Sequence, residues 1–255
     1  MLQIVQIILV FSSAVGIVLF PTLSGHHSSK NFEKIKETTH LAERYISMVT
    51  IPPIVLVIVF ANPVIDIMLS SAFLPAASVL ITLSIFALIS GLRIPYSSLI
   101  GGVNRPGIAA KIGGAICGTN IVLNYLFIPK WGLLTPFGIN GPTGAAVATV
   151  LSGLIGFFGV RLAAKKLTGI KLMQSHTPRH IIAGVGMASV LYYANLLIPL
   201  VRWYHLIGFA LAGLGVYLGI LFILKEFKKE DLNFFLDILH PKEMLSYIKS
   251  ELKVK

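Results

Sequence analysis

Cysteine is almost absent from the 255-residue chain: Cys117 stands alone inside an apolar run, so a disulfide framework is excluded. Charge is scarce as well. Only 12% of residues are Asp, Glu, Lys or Arg, against roughly 25% in a soluble domain. Hydrophobic residues make up 55%, and the mean hydropathy is +0.84. That much apolar surface with so little charge cannot be folded around one water-soluble core, so the chain reads as a polytopic membrane protein. Acidic residues number ten, and six of them fall after residue 224. Catalytic signatures are missing too. There is no G-x-x-x-x-G-K-S/T phosphate loop and no G-x-S-x-G elbow, and Cys117 has no basic partner in its run. The expected class is therefore not an enzyme, and no cofactor is expected. The chain also has no N-x-S/T acceptor site.

What is present is a series of apolar runs. A bilayer core about 30 Å thick takes about 20 residues of helix. Seven runs qualify, at roughly 1–21, 43–62, 75–100, 107–128, 142–164, 180–200 and 204–224. Nothing alternates with period two, and irregular backbone is intolerable in lipid, so an all-α bundle of about seven transmembrane helices is expected. The first run is a poor signal peptide, since it lacks a basic leading segment and is too long. Pro21 is expected to end it and to open a polar linker that contains His26 and His27. With His40 as the nearest third ligand, these histidines make a poor metal site.

The net charge of +11 is explained by loop placement rather than by nucleic acid. If the segment after residue 21 is cytoplasmic, the inside segments hold 18 Lys and Arg and the outside ones only Lys130 and Arg202, with Arg93 left inside a helix. The expectation is a cell-membrane protein with its N-terminus outside and its C-terminus inside. The segment 225–255 is compositionally different. Pro241 can open a helix there, and Met244, Leu245, Ile248 and Leu252 recur at helical spacing, as in an amphipathic helix on the membrane surface.

Several polar residues within or beside the runs could carry function. Arg93 lies inside the third run, where a charge is costly, with a helix-breaking Pro95 two residues later. It either lines a central cavity and pairs with an anionic substrate or snorkels to the cytoplasmic headgroups. Asn120 and Asn124 share one helix face and either line a sugar path or lock neighbouring helices together. Asp66, read as the one acidic residue outside the cytoplasmic segments and tail, either couples an ion or caps a short helix. Asn104 and Arg105 form a turn behind Gly101 and Gly102, with either a lipid-facing or a gating role. The small residues Gly144, Ala145, Ala146, Ala148 and Gly153 are expected to let neighbouring helices approach closely.

Taken in order, the stretches LFPTLS (19–24), NFEKIKETTHLAERY (31–45), FANPVIDIMLSSAFLPAASVL (60–80), GGVNRPGIAAK (101–111), NIVLNYLFIPKWG (120–132) and GINGPTGAAVATVLSG (138–153) resemble the C-terminal half of the multidrug/oligosaccharidyl-lipid/polysaccharide exporter superfamily. The branch they resemble is the polysaccharide-biosynthesis (Wzx-type) flippases. The resemblance implies a protein of about twelve to fourteen helices in two lobes that rock about a central cavity. Residues 1–165 would be the bundle of the second lobe, 166–224 two additional helices and 225–255 the tail. The first lobe would be a separate half or a second copy, and the substrate a lipid-linked sugar moved through the membrane lipids. A lipid II flippase would carry a cavity arginine on the first helix, where this chain has only Gln3, Gln6, Ser12 and Ser13 as polar residues. A cation-coupled multidrug antiporter and a non-transporting half that packs with a partner remain open as alternatives.

Overall fold

A computed structural model describes residues 2–172, 176–197 and 203–226. Eight helices follow one another: α1 (Leu2–Ser28), α2 (Phe32–Val59), α3 (Ala61–Met68), α4 (Ala77–Gly102), α5 (Pro106–Phe127), α6 (Gly141–Thr168), α7 (His176–Leu197) and α8 (Trp203–Ile223). Short 3-10 turns at Ser71–Ala76 and Thr135–Phe137 complete the order, and no strand occurs among the described residues. All but α3 are long and apolar enough to cross a bilayer, in agreement with the expected number of spans.

One boundary differs from the sequence reading. Pro21 lies inside α1, which runs on through His26 and His27 to Ser28. The expected polar linker of some twenty residues is a turn at 29–31. Asn31 then caps α2, its side chain accepting a hydrogen bond from the Lys34 amide at 3.1 Å. α2 thus begins eleven residues before the apolar run at 43. Its first three turns are charged on one side, yet Ile35, Thr39, Ala42 and Ile46 recur at helical spacing on the other and are buried. Pro52 and Pro53 are held within the same helix. The amphipathic stretch expected near Pro241 lies outside the described residues.

The helices alternate in direction. The turns at 29–31 and 103–105, the α6–α7 connection and the end of α8 therefore share one end of the bundle. Lys30, Lys34, Arg105, Lys165, Lys166, Lys171 and Arg179 gather there, and we refer to it as the basic end. α6 stops at Gly169, whose φ of 70° suits a left-handed cap, with Lys165 and Lys166 in its last turn.

α4 is the central post and packs against α1, α2 and α6. α5 leans on α6, and α7 is wedged between α2 and α8. The small residues at the start of α6 serve the expected purpose: Gly144, Ala146, Ala148 and Gly153 are buried, and a Cβ on Gly144 would stand 2.3 Å from the Phe127 carbonyl oxygen. Two apolar clusters form the core. One, near the basic end, joins Leu23, Ile35, Tyr96, Leu99, Ile100, Val160 and Ile170. The other joins Ile54, Phe60, Leu80, Met187, Tyr217 and Leu221 across α2, α4, α7 and α8.

Candidate functional site: two arginines within the helix bundle

α4 and α6 run parallel. Ser78 meets Thr143 at 3.1 Å and Tyr96 meets Arg161 at 3.0 Å, each pair 65 residues apart. At this interface lie two arginines with opposite surroundings.

Arg161, on α6, is 2% exposed and its partner Glu43, on α2, is 1% exposed. One Arg161 terminal nitrogen donates to Glu43 Oε1. The other donates to the Tyr96 hydroxyl and, at 2.7 Å, to the Leu172 carbonyl. Tyr96 in turn donates to Glu43 Oε2 at 2.6 Å, and the Thr177 hydroxyl donates to Glu43 Oε1 at 3.2 Å. The guanidinium also lies over the rings of Tyr96 and Phe157, 4.3 and 4.2 Å from their centroids. Only Arg161 Nε lacks an acceptor. A buried ion pair is tolerable when hydrogen bonds use up the remaining donors and acceptors, and this one meets that condition almost fully.

The node corrects the sequence reading on one point. Asp66 is not the one carboxylate outside the cytoplasmic segments and tail, because Glu43 lies inside the bundle. Glu43 is the first residue of the apolar run 43–62, and the charged turns of α2 before it hide how far the helix extends.

Next to Glu43, Arg44 reaches the opposite way. Its Nε and one terminal nitrogen donate to Glu226 Oε1 and the Glu226 carbonyl, at 3.3 and 2.5 Å. Arg179 Nη1 donates to Glu226 Oε2 at 2.6 Å, and Ser47 Oγ lies 2.6 Å from His180 Nδ1. His176 lies one turn from His180, their rings tilted by 37° with centroids 6.1 Å apart. α2 therefore ties the last two helices to the bundle through polar side chains at the basic end. No cluster of three metal-ligating side chains exists among the described residues.

Arg93, on α4, is half-buried and has no hydrogen bond or ion pair among the described residues. By the α4–α6 register, residue 158 is level with it. Its Nη1, however, stands 2.8 Å from where a Cβ of Gly156 would be. The side chain thus leans about 3 Å, two residue rises, away from the basic end. That is the direction in which helical side chains tilt, toward the helix N-terminus. Reaching the basic-end headgroups would require the opposite direction. Ile116 of α5 closes the third side, its Cδ1 2.4 Å from the same Cβ position.

One turn further from the basic end, Asn120 Nδ2 donates to Ser152 Oγ of α6 at 3.1 Å, and Asn124 Nδ2 donates to Asn120 Oδ1 at 2.9 Å. The two amides join α5 to α6, and the buried Asn124 Oδ1 is left without a donor. The structure thus gathers Arg93, Asn120 and Asn124 along one seam of α4, α5 and α6. It leaves the other candidates apart. Asp66 is exposed in the interior of α3 rather than at its cap, and Asn104, with φ 54°, and exposed Arg105 form the α4–α5 turn.

Glu43 and Arg161 escaped the sequence reading. They are 118 residues apart, and Glu43 is one of several charges in the stretch 31–45. The available signal was the buried stripe Ile35, Thr39, Ala42, Ile46, which carries the helix through the charges and Glu43 with it.

Residues 3–78 match the family model described as polysaccharide biosynthesis protein. Three curated relatives match more of the chain. The probable low-salt glycan biosynthesis flippase Agl15 of Haloferax volcanii is 25% identical over 190 residues, covering 74% of this chain and 38% of the relative. The probable flippase AglR of the same organism is 24% identical over 209 residues, covering 80% and 42%. An uncharacterized membrane protein of Methanocaldococcus jannaschii is 28% identical over 152 residues, covering 59% and 28%. The chain spans less than half the length of these relatives. No solved structure matches. The seven spans make this chain a multi-pass membrane protein, similar in residues 3–78 to the polysaccharide-biosynthesis family and over most of its length to relatives named as probable flippases.

Proposed function

We propose that the chain is the membrane-embedded half of a flippase for lipid-linked oligosaccharide or polysaccharide precursors, working by alternating access with a second half or a second copy. The observation that carries this reading is Arg93. It is a cation within a membrane-spanning helix, without an acidic partner among the described residues, seated against a glycine and turned away from the basic end. An embedded charge needs an opposite charge or water. The planar guanidinium fork matches a phosphate in two-point contact. A lipid-linked glycan presents such an anion at headgroup depth while its tail stays in the bilayer. No covalent bond changes in this process, and the chain acts as a transporter rather than an enzyme. The basic end faces the cytoplasm by the positive-inside rule, which puts the N-terminus outside.

A cation-coupled antiporter would want a carboxylate free to load and release an ion. Glu43 and Glu226 are the buried carboxylates among the described residues; the oxygens of Glu43 are occupied by Arg161, Tyr96 and Thr177, and those of Glu226 by Arg44 and Arg179. That favours the flippase.

The test is translocation of a fluorescent lipid-linked sugar in vesicles by the two-part assembly. Arg93→Ala is expected to lower the rate at least about tenfold, equivalent to about 1.4 kcal/mol, at unchanged membrane abundance. An unchanged rate would remove Arg93 from the transport path.

A further inference from the structure

Glu43 pairs with Arg161, and the helix register sets a second arginine, Arg93, at nearly the same level of the bundle. α2 runs antiparallel to α4, and a Cβ on Gly91 would meet Ile46 Cγ2 at 3.6 Å. That register sets Glu43 level with residue 94, one position from Arg93. Tyr96, one turn further along α4, already reaches Glu43 with its hydroxyl at 2.6 Å. In a low-dielectric interior a carboxylate attracts any guanidinium that can reach it. Arg93 nevertheless turns the other way, toward Gly156 and the Asn120–Ser152 level. The carboxylate is already taken: Arg161, held by contacts with two rings and by the Leu172 carbonyl, covers one oxygen, and Tyr96 covers the other. The adjacent cation, Arg44, is committed to Glu226.

We infer that Arg161 is a positioning residue for Arg93: by saturating Glu43 it prevents the internal pairing of Glu43 with Arg93 and leaves the Arg93 guanidinium available to an external anionic headgroup. This rests on the reading of Arg93 as the anion-binding group. Gly156 completes the arrangement. A side chain there would fill the space that Arg93 Nη1 occupies once Glu43 is not its partner.

The inference is tested on the purified full chain in detergent, with inorganic pyrophosphate as the probe. Binding is measured by calorimetry well below each variant's melting temperature, so that only folded protein is read. The wild-type chain is expected to bind, and Arg93→Gln to lose affinity by roughly tenfold or more. Arg161→Met, though folded, is expected to lose a similar factor because Glu43 captures Arg93. Glu43→Gln combined with Arg161→Met has no carboxylate left to compete and is expected to return to within about threefold of wild type. Adding Arg93→Gln to that pair is expected to remove binding again. If Arg161→Met does not accumulate, the double and triple variants carry the comparison. Wild-type affinity in folded Arg161→Met, or a folded double variant that stays weak, overturns the inference and leaves the Arg93 reading standing. A wild-type chain that does not bind, or Arg93→Gln that binds like wild type, removes the Arg93 reading itself.

Discussion

Two arginines one helix apart illustrate what a single residue's surroundings decide. Arg161 has three acceptors, one of them a carboxylate, and two ring faces, and is a structural cation. Arg93 has a glycine and an isoleucine beside it and no hydrogen-bond or ion-pair partner among the described residues. Removing one member of a buried pair leaves the other charge uncompensated, which costs about 3–5 kcal/mol. Glu43→Ala is therefore expected to destabilise the bundle by about that amount, read as a lower melting temperature in detergent. Glu43→Gln combined with Arg161→Met leaves neither charge of this pair behind and is expected to recover most of it. Equal melting temperatures for Glu43→Ala and the wild type would mean that the pair contributes nothing net. Sequence inspection alone singled out Arg93, because an arginine in an apolar run is conspicuous. It could not single out Glu43, because a carboxylate among other charges is not.

At the scale of elements, α2 does more than span. Its apolar half builds the core with α4, α7 and α8, while its charged half supplies Glu43, Arg44 and Ser47 to three different neighbours. The clamp of Arg44 and Arg179 on Glu226 fixes the end of α8 against the start of α7. Glu226→Ala leaves Arg44, 8% exposed, without this carboxylate, and is expected to weaken the docking of the α7–α8 pair by about 1–3 kcal/mol. Faster hydrogen exchange confined to α7 and α8 would register that loss, whereas uniform protection would show that apolar packing alone holds the pair. The seven spanning elements were legible because each needs about twenty apolar residues, a signal no loop imitates. The start of α2 was not, because a window scan weighs the charges on its polar side and ignores the four-residue stripe opposite. Pro21 also misled: a proline that would end a helix in water is held within α1 here, as prolines are in membrane helices.

For the whole molecule, the distribution of basic residues between the two ends gives the orientation proposed above. In a Cys117→Ser background, Ser29→Cys is expected to react with a membrane-impermeant thiol reagent only after the membrane is opened from the cytoplasmic side. Phe137→Cys, exposed at the far end, is expected to react in intact cells. The reverse pattern would invert the topology.

Composition, the lengths of the apolar runs and the placement of lysine and arginine determined by themselves that the chain is a seven-span helical membrane protein with one basic end, because lipid admits few other solutions for such a sequence. The ordered motifs carried its likeness to the flippases. Only the tertiary structure decided which of Arg93 and Arg161 is paired with a carboxylate among the described residues. That depends on a contact between residues 118 positions apart and on a helix register that brings α2, α4 and α6 level with one another. Charge pairing inside a bundle is a property of side chains that meet in space, and a local pattern in the chain does not encode it.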